Sequence, residues 1–132
     1  MYHYVFIQAA SPEADIVTDL EASCGRALAR RTGDGVDYSA QLDRAALELQ
    51  LTHDFDEDRG IPFDRYQSVL VVRDFDRDME RQLALARRVV RSLADTGRYW
   101  VLLVYELQQF LEAAAPAGAS LSDIWPPAKA TE

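Results

Sequence analysis

One cysteine, one lysine and two histidines are all that the 132-residue chain holds of those residue types. A lone cysteine allows no internal disulfide, a pattern that fits a reducing, cytoplasmic setting. A transition metal calls for several His, Cys or carboxylate ligands converging on one point. His3, Cys24 and His53 are far apart in sequence, so no metal or other cofactor is expected. No apolar run reaches the length that spans a bilayer, and no basic stretch precedes an apolar one at the N-terminus. Neither a membrane segment nor a signal peptide is therefore expected. Basic charge is also short. A net charge of −8 sets most of the surface against nucleic-acid phosphates and excludes a simple electrostatic grip on them. Glycine-rich phosphate loops, nucleophile elbows and HExxH are all missing, so no catalytic residue is assigned.

What is present is the composition of an ordinary globule, 48% hydrophobic and 27% charged, at a length that can bury one core. Tyr2 to Gln8 is aromatic and β-branched and predicts a strand. Ser11-Pro12-Glu13 has the form of a helix start, and Val17, Leu20, Cys24, Ala27 and Leu28 recur at helical spacing up to Arg31. In that stripe Cys24 reads as a core thiol. Gly33 and Gly35 open a loop. Ala45, Leu47, Leu49 and Leu51 then alternate with polar residues, which predicts a half-buried strand, and Ser68 to Arg73 predicts its return partner.

Asp74 and Asp76 are available to cap a second helix with the stripe Met79, Leu83, Ala86, Val90 and Leu93, closed by Gly97. Its arginines read as a solvated, ion-paired face. Tyr99 to Tyr105 predicts a strand apolar on both faces, and Leu107, Phe110 and Leu111 mark a short C-terminal helix. Residues 1–115 thus form a single α+β domain, and 116–132 a flexible, Ala/Gly/Ser/Pro-rich tail. The order β-α-β-β-α-β is the ferredoxin-like split βαβ arrangement, with two helices on one sheet face.

Strand alternation places His3, Val5 and Ile7 under the helices and Tyr2, Tyr4 and Phe6 on the opposite face. Val69, Val71, Trp100, Leu102 and Val104 share that second face. Left to water it would form an unusually large apolar patch. The expected covers are the third helix with Leu121, Ile124 and Trp125, a second copy of the chain in a homodimer, or another partner.

The segment from Thr52 to Tyr66, THDFDEDRGIPFDRY, carries five acids. Asp54, Asp56 and Asp58 alternate as in a calcium loop, but the glycine falls one place late. Arg65 also stands where that loop needs a bidentate glutamate. A solvated acidic hairpin tip remains, or a surface that meets a basic protein. In the second reading Asp54, Asp56, Glu57, Asp58 and Asp64 supply charge, and Phe55 and Phe63 are the apolar anchors. Phe55, Ile61, Phe63 and Tyr66 could equally pin the loop to its own domain.

Metallochaperone, RNA-recognition and acylphosphatase versions of the fold need motifs that are absent after the first strand or in the third. A dimeric α+β barrel, acting as small-ligand sensor or cofactor-free enzyme, would use the second sheet face for self-association and direct His3, His53 or Tyr4 into a pocket. Through THDFDEDRGIPFDRY, and through the segment from Ala84 to Leu111 that ends in YELQQFL, the chain resembles small acidic immunity proteins encoded beside bacterial polymorphic toxins. That resemblance implies a non-enzymatic inhibitor whose partner is a basic cognate toxin domain.

Overall fold

The computed structural model describes residues 1–125. Among them the chain forms two α-helices and a seven-stranded antiparallel sheet. The strands are β1 (His3–Ala9), β2 (Ala29–Arg30), β3 (Tyr38–Gln41), β4 (Ala45–Gln50), β5 (Ser68–Asp74), β6 (Tyr99–Tyr105) and β7 (Gln109–Ala114). The helices are α1 (Ile16–Cys24) and α2 (Met79–Asp95). Sheet order is β2-β3-β4-β5-β1-β6-β7. The four strands expected from sequence are the contiguous centre, with Val5 opposite Leu70 on one side and Leu103 on the other. No helix among the described residues is long and apolar enough to cross a membrane.

Two apolar layers flank the sheet. Val5, Ile7, Leu47, Leu49, Leu70, Val72, Val101 and Leu103 point one way, and onto them α2 lays Leu85, Ala86, Val89, Val90 and Leu93 while α1 adds Leu20. Phe6, Val69, Leu102 and Val104 point the other way and form a second cluster with Ile61, Phe63, Tyr66 and Ile124. Period-two alternation sends every strand's neighbours to opposite faces, so both layers follow from the same residues.

The sequence pattern misplaces several boundaries. α1 begins five residues after Ser11, because Asp15 caps it by accepting the Thr18 N–H and hydroxyl at 3.2 and 2.9 Å. It stops at Cys24, since Gly25 turns left-handed at φ 70° and breaks a stripe that otherwise continues to Leu28. β2 and β3 occupy stretches read as helix end and loop. Asp78, not Asp74 or Asp76, caps α2. Asp74 is buried beneath that cap, accepting the N–H groups of Asp76 and Asp78 and two guanidinium bonds from Arg81 at 2.7 and 2.9 Å. These donors favour the carboxylate and hold its pKa down, to about 2.

The expected C-terminal helix is instead a hairpin. Glu106 and Leu107 both take positive φ, 65° and 86°, and the Gln108 N–H closes the turn onto the Tyr105 carbonyl at 3.1 Å. That is the backbone of a type I′ turn, which sends Leu111 back along β6 as part of β7. The tail is also not loose as far as Trp125. A 3-10 turn over Leu121–Asp123, closed by a capping box from Ser120, seats Ile124 at 7% exposure in the second layer. Residues 126–132 of the expected tail lie outside the described residues.

That second layer removes the reason for a homodimer through the sheet face. Phe6, Val69, Leu102 and Val104 are all 0% exposed within one chain. The long β4–β5 connection and the segment ending at Trp125 cover them.

Candidate functional site

The β4–β5 connection, residues 51–67, is where the acids gather, and it does not stand out as a hairpin tip. It folds back across the sheet. Ile61, Phe63 and Tyr66 are buried against Phe6, Val69 and Leu102. Phe63, taken from sequence as an apolar anchor for a partner, is 2% exposed and lies against the Phe6 ring with centroids 4.6 Å apart. The anchor reading of Phe63 is therefore corrected: its ring is spent on the chain's own second core. Phe55 is half-buried, edge-on to Phe6 at 5.9 Å and to Tyr4 at 6.5 Å. A 3-10 turn over Phe63–Arg65 returns the chain to β5.

Three further contacts fasten the loop. His53 Nε2 donates to the Tyr66 carbonyl at 2.5 Å, while its Nδ1 accepts the Phe55 N–H at 3.0 Å. Both ring nitrogens are occupied, which fits a neutral imidazole. The indole N–H of Trp125 donates to the Tyr66 hydroxyl at 2.8 Å, tying the C-terminal segment to the loop. Burial pushes the Tyr66 phenol up to about 12. Between Asp58 and Ile61 two backbone hydrogen bonds, 3.1 and 2.9 Å, close a tight turn. Arg59 and Gly60 supply its two positive φ values, 53° and 84°.

On this support the carboxylates face water. Asp54, Asp56, Glu57, Asp58 and Asp64 are all exposed. Glu57 accepts the Gly60 N–H at 3.2 Å. Among the described residues none of the five has a basic group within 4.0 Å. The remaining candidates are scattered. His3 lies on the helix side of the sheet, its Nδ1 accepting from Gln82 of α2 at 2.7 Å, whereas His53 sits on the opposite side against Phe6. The sheet separates them, so the two histidines cannot line one pocket. Cys24 ends α1, part-buried, with its thiol 3.4 Å from the Arg26 carbonyl. No group of three or more His, Cys, Asp or Glu converges on a metal position among the described residues. No family model, curated protein or solved structure matches the chain.

Sequence reasoning foresaw the exposed acids, offered Tyr66 as one of the residues pinning the loop and Trp125 as part of a cover. It missed His53 as a fastener and the Trp125–Tyr66 bond that joins the two segments. The available signal was the apolar set Phe55, Ile61, Phe63 and Tyr66, too dense for a fully solvated tip.

The buried groups set an acid response. Burial lowers the pKa of His3 and His53 below the ordinary 6.5, and for His3 the nearby Arg87 adds to the effect. Between pH 6.5 and those lower values the unfolded chain binds more protons than the folded one, so stability falls as pH falls below 6.5. Asp74 acts later: its stabilisation is complete above its ordinary 3.8 and is lost as pH drops toward about 2. Denaturant midpoints measured from pH 8 to 3 should decline from about pH 6.5 downward. In the His3→Gln/His53→Gln double variant the slope between pH 6.5 and 5 should shrink, whatever its absolute stability.

Proposed function

We propose that this chain is a non-enzymatic protein-binding module of the immunity type, a stoichiometric inhibitor that occludes a basic toxin domain. One observation carries the reading: five exposed carboxylates, without cations within 4.0 Å among the described residues, ride on a loop clamped to a buried aromatic platform. Uncompensated acids attract a basic surface over several ångströms and reject acidic ones. A loop already fixed by Phe63, Tyr66 and His53 loses little conformational freedom on binding, so more of the contact energy appears as affinity. In this mechanism Asp54, Asp56, Glu57, Asp58 and Asp64 complement the toxin's basic cleft. Phe55, half-exposed beside them, is the apolar contact, and Phe63 supports from within.

We take the architecture as a ferredoxin-like split βαβ core, β1-α1-β4-β5-α2-β6, extended by β2, β3 and β7. The order β4-β5-β1-β6 supports this.

The test is protection. Co-expressed in a bacterial host with a basic toxin domain encoded beside it, the chain should restore growth and copurify at a one-to-one ratio. Growth arrest that persists despite soluble chain would overturn the proposal.

A further inference from the structure

A second feature lies on the helix side of the sheet, away from the acidic loop. The C-terminal end of α1, the β3–β4 turn and the first half of α2 enclose a cleft of about 370 Å³. That size is within the range of small-molecule sites. Leu42, Ala84 and Leu85 give it an apolar wall, and four arginines, Arg26, Arg44, Arg81 and Arg88, surround it.

Their charge is unevenly used. Arg81 is committed to Asp74, Asp76 and Asp78, with nitrogen–oxygen distances of 2.7, 3.2 and 3.8 Å. Arg26 pairs with Asp43 at 3.5 Å and donates to the Gln41 carbonyl at 2.9 Å. Those two arginines answer the two carboxylates of the lining, Asp43 and Asp74. Arg44 and Arg88 are exposed, and among the described residues neither has a carboxylate within 4.0 Å. Asp43, Asp74, Asp76 and Asp78 balance the four arginines in number, but three of them crowd Arg81. In a chain of net charge −8 this concavity therefore still presents two guanidiniums that no carboxylate approaches within 4.0 Å among the described residues.

We propose that this cleft binds a small, doubly charged anion with an apolar body, of the phosphate monoester class. Each guanidinium presents a planar fork of donors that matches phosphate oxygens bidentately. Arg44, on the β3–β4 turn, and Arg88, on α2, approach from different elements and together balance a dianion. The organic part packs on Leu42, Ala84 and Leu85. Because Arg26 and Arg81 are fixed by their own pairs, the walls are set before the ligand arrives, which lowers the cost of binding.

Phenyl phosphate is the probe, titrated into the full chain and followed by backbone amide chemical shifts. Saturable shifts should concentrate at 24–26, 42–45 and 84–88. Arg44→Gln and Arg88→Gln should each weaken binding about tenfold or more, the loss expected for a charge-assisted hydrogen bond. Both side chains are exposed and neither substitution threatens folding. Arg91→Gln, an exposed α2 arginine outside the cleft lining, should leave binding unchanged. Phenol should fail for want of charge, and inorganic phosphate should bind more weakly for want of an apolar body. Shifts spread evenly over all arginine-bearing segments, equal weakening by Arg91→Gln, or inorganic phosphate binding as tightly as phenyl phosphate would each overturn the proposal.

Discussion

Phe63→Ala is expected to lower the unfolding free energy by about 3–5 kcal/mol, the range for emptying a buried phenyl site. The ring is 2% exposed and lies 4.6 Å, centroid to centroid, from Phe6, which is itself fully buried. Ile61, Tyr66, Val69, Leu102, Val104 and Ile124 close the same cluster, so few side chains can collapse into the space without moving a strand. A surface aromatic kept for a partner would behave differently, shifting stability within about 0.5 kcal/mol. Urea denaturation distinguishes the two cases. A midpoint within error of the parent would return Phe63 to the surface and remove the platform on which the acidic loop rests. The effect should also be local, with amides of 53–66 and 121–125 losing exchange protection before those of α2 and β5, because loop and C-terminal segment share the damaged layer.

Neutralising the acids should leave the fold alone and alter association. In the variant Asp54→Asn, Asp56→Asn, Glu57→Gln, Asp58→Asn the four substituted side chains are exposed and hold no ion pair within 4.0 Å among the described residues. Stability should therefore change by no more than about 1 kcal/mol in total. If these carboxylates steer a basic toxin domain, the association rate constant at low salt should fall at least about tenfold, and its dependence on ionic strength should flatten. Stopped-flow association at several salt concentrations reads both quantities. An unchanged rate and slope would show that the acids are only solvated surface. The contrast between the variants is informative: one empties the support and the other discharges what it carries.

The sequence by itself determined the alternation of the central strands, the amphipathic second helix and the division of the sheet into two apolar faces. Those features are local. A period of two or 3.6 residues is written directly into the chain, and in α2 it placed Ala86, Val90 and Leu93 on the buried face. Leu85 and Val89 are buried beside them, while Met79 and Leu83 of the expected stripe are only partly covered. The acids of 54–64 were legible as exposed for a similar reason, since charge seldom enters a core without a partner. Asp74, buried and ion-paired with the part-exposed Arg81, is the exception, and only the packed structure places the two together.

Tertiary structure alone decided three things. It made Gln109–Ala114 a strand, because a turn at Glu106 and Leu107 lacks the glycine or asparagine that announces such a backbone, while Leu107, Phe110 and Leu111 mimic helical spacing. It turned Phe63 inward, because an aromatic beside acids can anchor a partner or its own loop, and the choice depends on the bare sheet face lying within reach. It covered that face with Ile124 and the 51–67 connection, contacts that join residues some sixty positions apart, as the Trp125–Tyr66 hydrogen bond does. No local period encodes such a meeting. It arises because Phe6, Val69, Leu102 and Val104 must leave water, and the nearest apolar chain able to cover them was already attached.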